Sequence, residues 1–266
     1  MMVFLFILSM LQPQAHKQTH SWIKIDEKDF PSNTENWAID GLGNYYFCSN
    51  QEIIKTNSEG KKLYQMSLKK QGEISKIVHI NALKMVMFSE IQQQICFFDN
   101  TLSNNGNCIQ MEELNLQNVR LISNSNRPNL VWLYDEYNSG LYLYDYVNNK
   151  IIQSVSNMSS LVGLQDINQI IEIESTLYVS DEYGKIVLFD LFLNQTYSFQ
   201  LPIKEIQQWG NHIVGISDHK LCGFSLRGEE KFILDLPIES KELVVVGEYY
   251  YFKSSNKIIK YQLKLN

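Results

Sequence analysis

Short apolar segments recur along the chain, each followed by a small or acidic turn and a second apolar segment. The segments are rich in Ile, Val, Tyr, Phe and Trp and are separated by Asn, Asp, Gly or Ser, which is typical of strands joined by tight turns. Some runs are continuous rather than alternating, as in KIVLFDLFL at 185–193, which indicates strands buried on both faces. The pattern predicts an all-β fold.

The paired segments repeat at a regular interval. Aligning them on their polar turns brings one residue of each of six units into register: Phe47, Met87, Trp132, Tyr178, Gly215 and Tyr251. The intervals of 36 to 46 residues match a four-stranded blade of a β-propeller. We therefore predict a single propeller, most simply with six blades. Seven blades is the main alternative, and a β-sandwich array is a more distant one.

Segments from the two ends of the chain are expected to form the sixth blade together. The 15 residues after Tyr251 are too few to finish a blade. We expect the segment SWIKIDEKDF at 21–30 to supply a strand that closes the last blade, because closure removes two open sheet edges at once.

Composition agrees with this fold and narrows the partners. The chain has three alanines, 24 asparagines and 15 tyrosines, which disfavours a helical bundle or a (β/α) barrel. The net charge of −6 argues against a general nucleic-acid binder.

The first residues are typical of a targeting segment. Residues 3–11, VFLFILSML, form an uncharged apolar run that is too short to span a bilayer but suits the core of a signal peptide. No Lys or Arg precedes the run, and a buried N-terminal strand is the alternative interpretation. We predict a signal peptide at 1–15, cleaved after Ala15, and a propeller domain at 16–266. The exported domain would be periplasmic or extracellular, with no transmembrane segment.

The four cysteines are compatible with export. Cys96 and Cys108 flank the polar stretch DNTLSNNGN and are a candidate disulfide across a hairpin, with buried free cysteines as the alternative. No CxxC or paired Cys/His spacing is present, so we do not expect a zinc site.

No catalytic signature stands out. GxSxG, GxxxxGK[ST] and GxGxxG are all absent, and the spacing of the five histidines indicates no catalytic triad. We predict no catalytic, cofactor-binding or metal-binding residue, and the assignment as a non-enzyme remains open.

One blade is unusually rich in aromatic residues. Strand alternation would expose about half of them, and exposed tyrosines are frequent at interface hot spots. The candidate protein-contact residues are Trp132, Tyr134, Tyr137, Tyr142 and Tyr144. Packing between blades is the alternative.

Residues 37–62, WAIDGLGNYYFCSNQEIIKTNSEGKK, resemble a blade of the propeller group that includes NHL-repeat and SMP-30-like proteins. The resemblance depends on Asp40, Gly43-Asn44 and Tyr46, and then on Ile54-Lys55, Asn57 and Gly60. It covers one blade closely and the others loosely, and it implies an architecture rather than an activity.

SMP-30-like hydrolases hold a divalent cation in the central channel through Glu, Asn and Asp. The acids Asp135-Glu136, Asp181-Glu182 and Asp218 follow equivalent strands here and could form a similar ring. We favour the alternative that they lie in exposed turns, because these turns need not point into the channel.

The mature chain also resembles a group of exported single-propeller proteins of Bacteroidota. The residues that carry this are 76–102, which end in Phe98-Asp99-Asn100-Thr101-Leu102, and 129–146, with Trp132 before Asp135. The resemblance implies membership of a cell-envelope assembly, such as one that serves type IX secretion or gliding.

The sequence thus predicts a non-catalytic scaffold that binds another envelope protein, in an unknown oligomeric state. The alternatives are a metal-dependent hydrolase that uses channel carboxylates and a propeller that binds a small ligand or glycan.

Overall fold

The computed structural model describes residues 20–50, 52–104, 106 and 108–265. These residues form six antiparallel sheets of four strands each, arranged as the blades of a β-propeller. The six-blade prediction is confirmed and the seven-blade alternative is wrong. The predicted signal peptide lies outside the described residues.

Blades 1 to 5 follow one another along the chain, each running from its innermost to its outermost strand. Blade 1 comprises β2 (Asn36–Ile39), β3 (Tyr45–Cys48), β4 (Glu52–Thr56) and β5 (Lys62–Ser67). Blade 2 comprises β6 (Lys76–Asn81), β7 (Lys84–Ser89), β8 (Gln94–Asp99) and β9 (Ile109–Gln110). Blade 3 comprises β10 (Val119–Asn124), β11 (Leu130–Asp135), β12 (Gly140–Asp145) and β13 (Lys150–Val155).

The remaining blades continue this order until the ring closes. Blade 4 comprises β14 (Ile167–Ile173), β15 (Thr176–Asp181), β16 (Lys185–Phe189) and β17 (Gln195–Gln200). Blade 5 comprises β18 (Gln207–Trp209), β19 (His212–Ser217), β20 (Lys220–Ser225) and β21 (Glu230–Asp235). Blade 6 comprises β22 (Glu242–Val246), β23 (Tyr249–Lys253), β24 (Lys257–Leu265) and, outermost, β1 (His20–Asp29).

Strand β1 closes the ring as predicted. It pairs antiparallel with β24 in a register that sets His20 opposite Leu265 and Asp29 opposite Lys257. The first and last described strands therefore complete one sheet together.

The core lies between blades. In β11, alternate residues pack in opposite directions: Val131 and Leu133 contact blade 2, whereas Trp132 and Tyr134 contact blade 4. Every residue of this strand is buried. Because neighbouring blades cover both faces of a middle strand, such a strand is apolar throughout. The continuous run at 185–193 follows this rule only as far as Phe189, where β16 ends; Phe192 is exposed in the following turn.

Helix is nearly absent from the described chain, in agreement with the scarcity of alanine. The helical elements are a 3₁₀ turn at Met111–Leu114 and α1 (Met158–Val162), each in a linker between blades. No helix within the described ranges is long and apolar enough to cross a membrane.

The candidate cysteine pair lies in blade 2. The structure joins Cys96 of β8 to Cys108 in a disulfide, with the two Cα atoms 4.3 Å apart. Cys48 and Cys222 are buried free thiols, and burial raises the pKa of Cys48 to about 12. These two thiols are therefore protonated at neutral pH.

Candidate functional site

The strand order gives the disc two distinct faces. Because the strands are antiparallel, the turns between the second and third strands of each blade lie on the same face as the linkers between blades. We call this the linker face. The other turns form the opposite face, where β1 starts and β24 ends.

Four of the five candidate contact aromatics do not reach the surface. Trp132, Tyr134, Tyr142 and Tyr144 are buried on the middle strands of blade 3, because adjacent blades cover both sides of those strands. Alternation exposes one face of a strand only where nothing packs on that face. Tyr137, which lies in the turn after β11, is 71% exposed and is the one of the five available to a partner.

Two of the acids considered for a channel ring, Asp135 and Asp181, are buried and hold turns together. Asp135 accepts the backbone N–H of Gln117 in the linker before blade 3 and that of Tyr137 in its own turn, both at 3.0 Å. Asp181 accepts the corresponding N–H groups at blade 4. These carboxylates are occupied by backbone donors, so they hold turns as the favoured interpretation expects, but they are buried and not exposed. Asp218 is exposed in the corresponding turn of blade 5.

In blades 2, 3 and 4, the second strand ends in a buried residue. An exposed acid and then an exposed apolar side chain follow it directly. The pairs are Glu90-Ile91, Glu136-Tyr137 and Glu182-Tyr183, and they follow Ser89, Asp135 and Asp181. Ile91, Tyr137 and Tyr183 are 74%, 71% and 64% exposed. The acid–apolar dipeptide is present in the aligned repeats. Only the structure shows that it is exposed on the surface while the residue before it is buried.

A fourth apolar side chain lies on the same face. Leu161 of α1 is 64% exposed. The helix is attached to the turn that carries Tyr137, since the hydroxyls of Ser139 and Ser159 lie 2.7 Å apart and the Met158 N–H donates to the Ser139 carbonyl at 2.9 Å. We call Ile91, Tyr137, Leu161 and Tyr183 the apolar patch.

Ion pairs flank the patch. Arg120, the second residue of β10, pairs with Glu136, and this hydrogen bond raises the pKa of the guanidinium. Lys204 pairs with Glu182 at 3.0 Å and lowers the pKa of that carboxyl. Both pairs are partly exposed, so each contributes at most about 1 kcal/mol to folding.

The central channel forms a cavity of about 490 Å³ lined by the innermost strands. Its mouth on the linker face carries Lys76, Glu90 and Arg120. Deeper inside, Glu172 accepts hydrogen bonds from the Ser125 hydroxyl at 2.7 Å and from the Trp132 indole at 2.6 Å. Among the described residues, no group of three or more His, Cys, Asp or Glu is placed to hold a metal ion.

A smaller cavity of about 350 Å³ opens on the linker face between blades 5 and 6. It is lined by Gly215, which stands where the other blades carry a large side chain, and by Asp218, His219 and Lys241. The linker before blade 5 fills the space of the missing side chain, because a Cβ on Gly215 would lie 2.5 Å from the Glu205 carbonyl oxygen.

The comparisons with known proteins establish a fold class and no family. No protein-family model matches the chain, and no curated protein matches it in sequence. Solved structures that resemble it are β-propellers.

The Pan2 WD40 domain of Neurospora crassa aligns with a TM-score of 0.65 at 9% identity, over 91% of this chain and 95% of that one. BamB from Moraxella catarrhalis aligns with a TM-score of 0.56 at 9% identity, over 91% and 98%. Streptogramin B lyase aligns with a TM-score of 0.60 at 14% identity, over 89% and 81%. At such identities the likeness establishes a propeller, and because an enzyme is among these structures it does not determine the function.

Proposed function

We propose that the protein is a non-catalytic, protein-binding propeller of the bacterial cell envelope that docks its partner on the linker face. The observation that carries the proposal is the apolar patch, in which the same turn position is exposed and apolar in three successive blades. Exposed large apolar side chains that cluster on one surface mark contact sites. The rigid ring of blades would hold these turns in fixed positions and so reduce the entropy lost on binding.

Glu172, the acid within the channel, is engaged by neighbouring donors. The apolar segment at 3–11 and the resemblance to exported propellers support the envelope location and a role in a secretion or envelope assembly. These parts of the proposal are predictions.

The opposite face also exposes apolar residues, but in a different arrangement. Leu42 and Leu83 lie in first turns, whereas Val147 and Phe192 lie in third turns, at a different distance from the channel. Leu42 and Leu83, each 67% exposed, provide a matched control for the linker face.

The triple variant Ile91→Ser/Tyr137→Ser/Tyr183→Ser tests the proposal. We expect it to fold with an unchanged melting temperature, because these side chains are exposed, and to lose the partner that the wild type retains. Partner retention would be measured by co-purification from native envelopes and quantitative mass spectrometry.

The control Leu42→Ser/Leu83→Ser should retain the partner in full. A partner lost by this control and kept by the triple variant would show that the contact lies on the opposite face. A wild-type chain recovered alone and monomeric would contradict the proposed function as a whole.

A further inference from the structure

The charge of the linker face is divided unevenly between its two halves. The linker-face turns of blades 2 to 4, together with the linkers that join these three blades, are 90–93, 111–118, 136–139, 156–166 and 182–184. They contain six acids and no Lys, Arg or His; the acids are Glu90, Glu112, Glu113, Glu136, Asp166 and Glu182. All six are exposed.

The same half carries the apolar patch. Within the described chain, the turns and linkers of blades 5, 6 and 1 on this face expose no large apolar side chain, and they include cations such as Lys69, Lys204 and Lys241. Acidic and apolar side chains are therefore interspersed over one half of the disc face.

Few local cations neutralise this half. Arg120 pairs with Glu136, and Lys204 reaches Glu182 from the next linker. Lys185 donates to the Val162 carbonyl at 2.7 Å instead of to an acid. Lys76, which lies at the channel mouth with Glu90 and Arg120, forms no ion pair within 4.0 Å among the described residues. Among the described residues, Glu90, Glu112 and Asp166 have no ion-pair partner within 4.0 Å. Their charge is available to attract a cationic ligand over about one Debye length.

Building on the proposed function, we infer that the partner is a basic protein segment in which Lys or Arg alternates with large apolar side chains. Its apolar residues would cover the apolar patch, and its cations would pair with the acids that have no ion-pair partner. They would also compete with Arg120 and Lys204 for Glu136 and Glu182. A second copy of the chain docked through the same half would place acidic side chains against acidic side chains. A nucleic acid would place phosphates against them. Both arrangements are electrostatically unfavourable.

The probe is a phage-displayed library of random linear peptides, selected on the immobilised full chain. Peptides enriched on the wild type would be counter-screened on the triple variant of the apolar patch. We expect the enriched peptides to carry net positive charge and at least one large apolar residue, and to be lost on that variant.

Direct titration then tests the charge. Dissociation constants of one enriched peptide would be measured by fluorescence polarisation for the wild type and for Glu90→Gln/Glu112→Gln. We expect the variant to bind about three- to tenfold more weakly at low salt, with a smaller difference at high salt. The control Glu59→Gln, an exposed acid on the opposite face, should bind as the wild type does.

The possible failures can be distinguished. Enriched peptides that need the apolar patch but are neutral or acidic, or that bind Glu90→Gln/Glu112→Gln unchanged, would overturn the basic partner and leave the protein-binding function standing. Peptides that bind the wild type and the triple variant equally would overturn both the basic partner and the proposed docking of a partner on the apolar patch.

Discussion

His79 shows how a single residue responds to the packing of blades. Its ring lies in β6 against the ring of Tyr46 in blade 1, with the centroids 4.8 Å apart, and close to a buried ion pair of Asp40 and Lys55. Burial lowers the pKa of His79 to about 4, while Asp40 opposes this shift and Lys55 adds to it. The imidazole is therefore neutral at neutral pH and contributes as a packed ring.

This lowered pKa predicts a loss of stability in acid. In the unfolded chain a histidine binds its proton near pH 6.5, whereas in the fold it does so near pH 4, so the unfolded state holds more protons between these values. The free energy of unfolding should fall as the pH drops across this window, by up to roughly 3 kcal/mol. In His79→Phe this part of the loss should disappear, as measured by urea unfolding at pH 7 and pH 4.5.

His219 provides the control for that measurement. It is exposed in a turn, and its φ of 62° is one that asparagine adopts readily. His219→Asn should keep the wild-type dependence on pH, and an equal dependence in His79→Phe and the wild type would contradict the assignment to His79.

Single residues also show where sequence reasoning succeeds. Gly43 and Gly60, which carry part of the resemblance to a propeller blade, lie in turns with φ values of 81° and 83°, a region in which other residues are strained. Tyr142 and Tyr144, candidates for protein contact, are buried by the neighbouring blades, which is the packing alternative. The repeat pattern alone does not reveal that Ile91 is exposed, because this depends on where β7 ends and the turn begins.

Among the elements, blade 2 has the shortest outermost strand. β9 has two residues, Ile109 and Gln110, and pairs only with the start of β8. The disulfide between Cys96 and Cys108 ties the preceding loop to the part of β8 that β9 leaves unpaired. A covalent link thus stands where the other blades have a longer ladder of hydrogen bonds.

We predict that this disulfide forms in the native protein and stabilises blade 2. Reduction, or the variant Cys96→Ser/Cys108→Ser, should lower the free energy of unfolding by about 2–3 kcal/mol, as measured by urea unfolding with and without reductant. Alkylation under denaturing, non-reducing conditions should label two of the four cysteines. Four labelled cysteines, or a wild-type stability that does not respond to reductant, would contradict the prediction.

The sequence repeat predicts the strands and their number well, but it does not predict what the turns between them do. Strand spacing follows from the number of residues that a four-stranded blade needs, so the blade count and the closing strand were readable from intervals and from the residues left at each end. The charge of the linker-face half depends on which turns share a face, and this follows from the direction of the strands around the ring rather than from any local pattern.

For the whole molecule, Trp22 of β1 links the closing strand to its surroundings. Its ring packs edge-on against Tyr250 and Phe252 of blade 6, with centroids 5.2 and 5.5 Å apart, and its indole N–H donates to the Asp235 carbonyl in blade 5 at 2.9 Å. One side chain therefore connects the closing strand to two blades.

Trp22→Ala should destabilise the entire ring, because blade 6 loses the anchor of its outermost strand. We expect a loss of about 3 kcal/mol in urea unfolding, monitored by circular dichroism. The control Ile25→Ala, on an exposed position of the same strand, should cost less than about 1 kcal/mol. Equal losses in the two variants would mean that closure does not depend on this anchor.

Closure by β1 also has a consequence for synthesis on the ribosome. β1 is the first described strand to be made, and its partner β24 is the last. At roughly 5–20 residues per second the interval lasts on the order of tens of seconds, during which blades 1 to 5 can form and β1 has no partner. Half of its ten residues are charged, which disfavours pairing with other nascent chains. The ring therefore closes only after β24 has been translated.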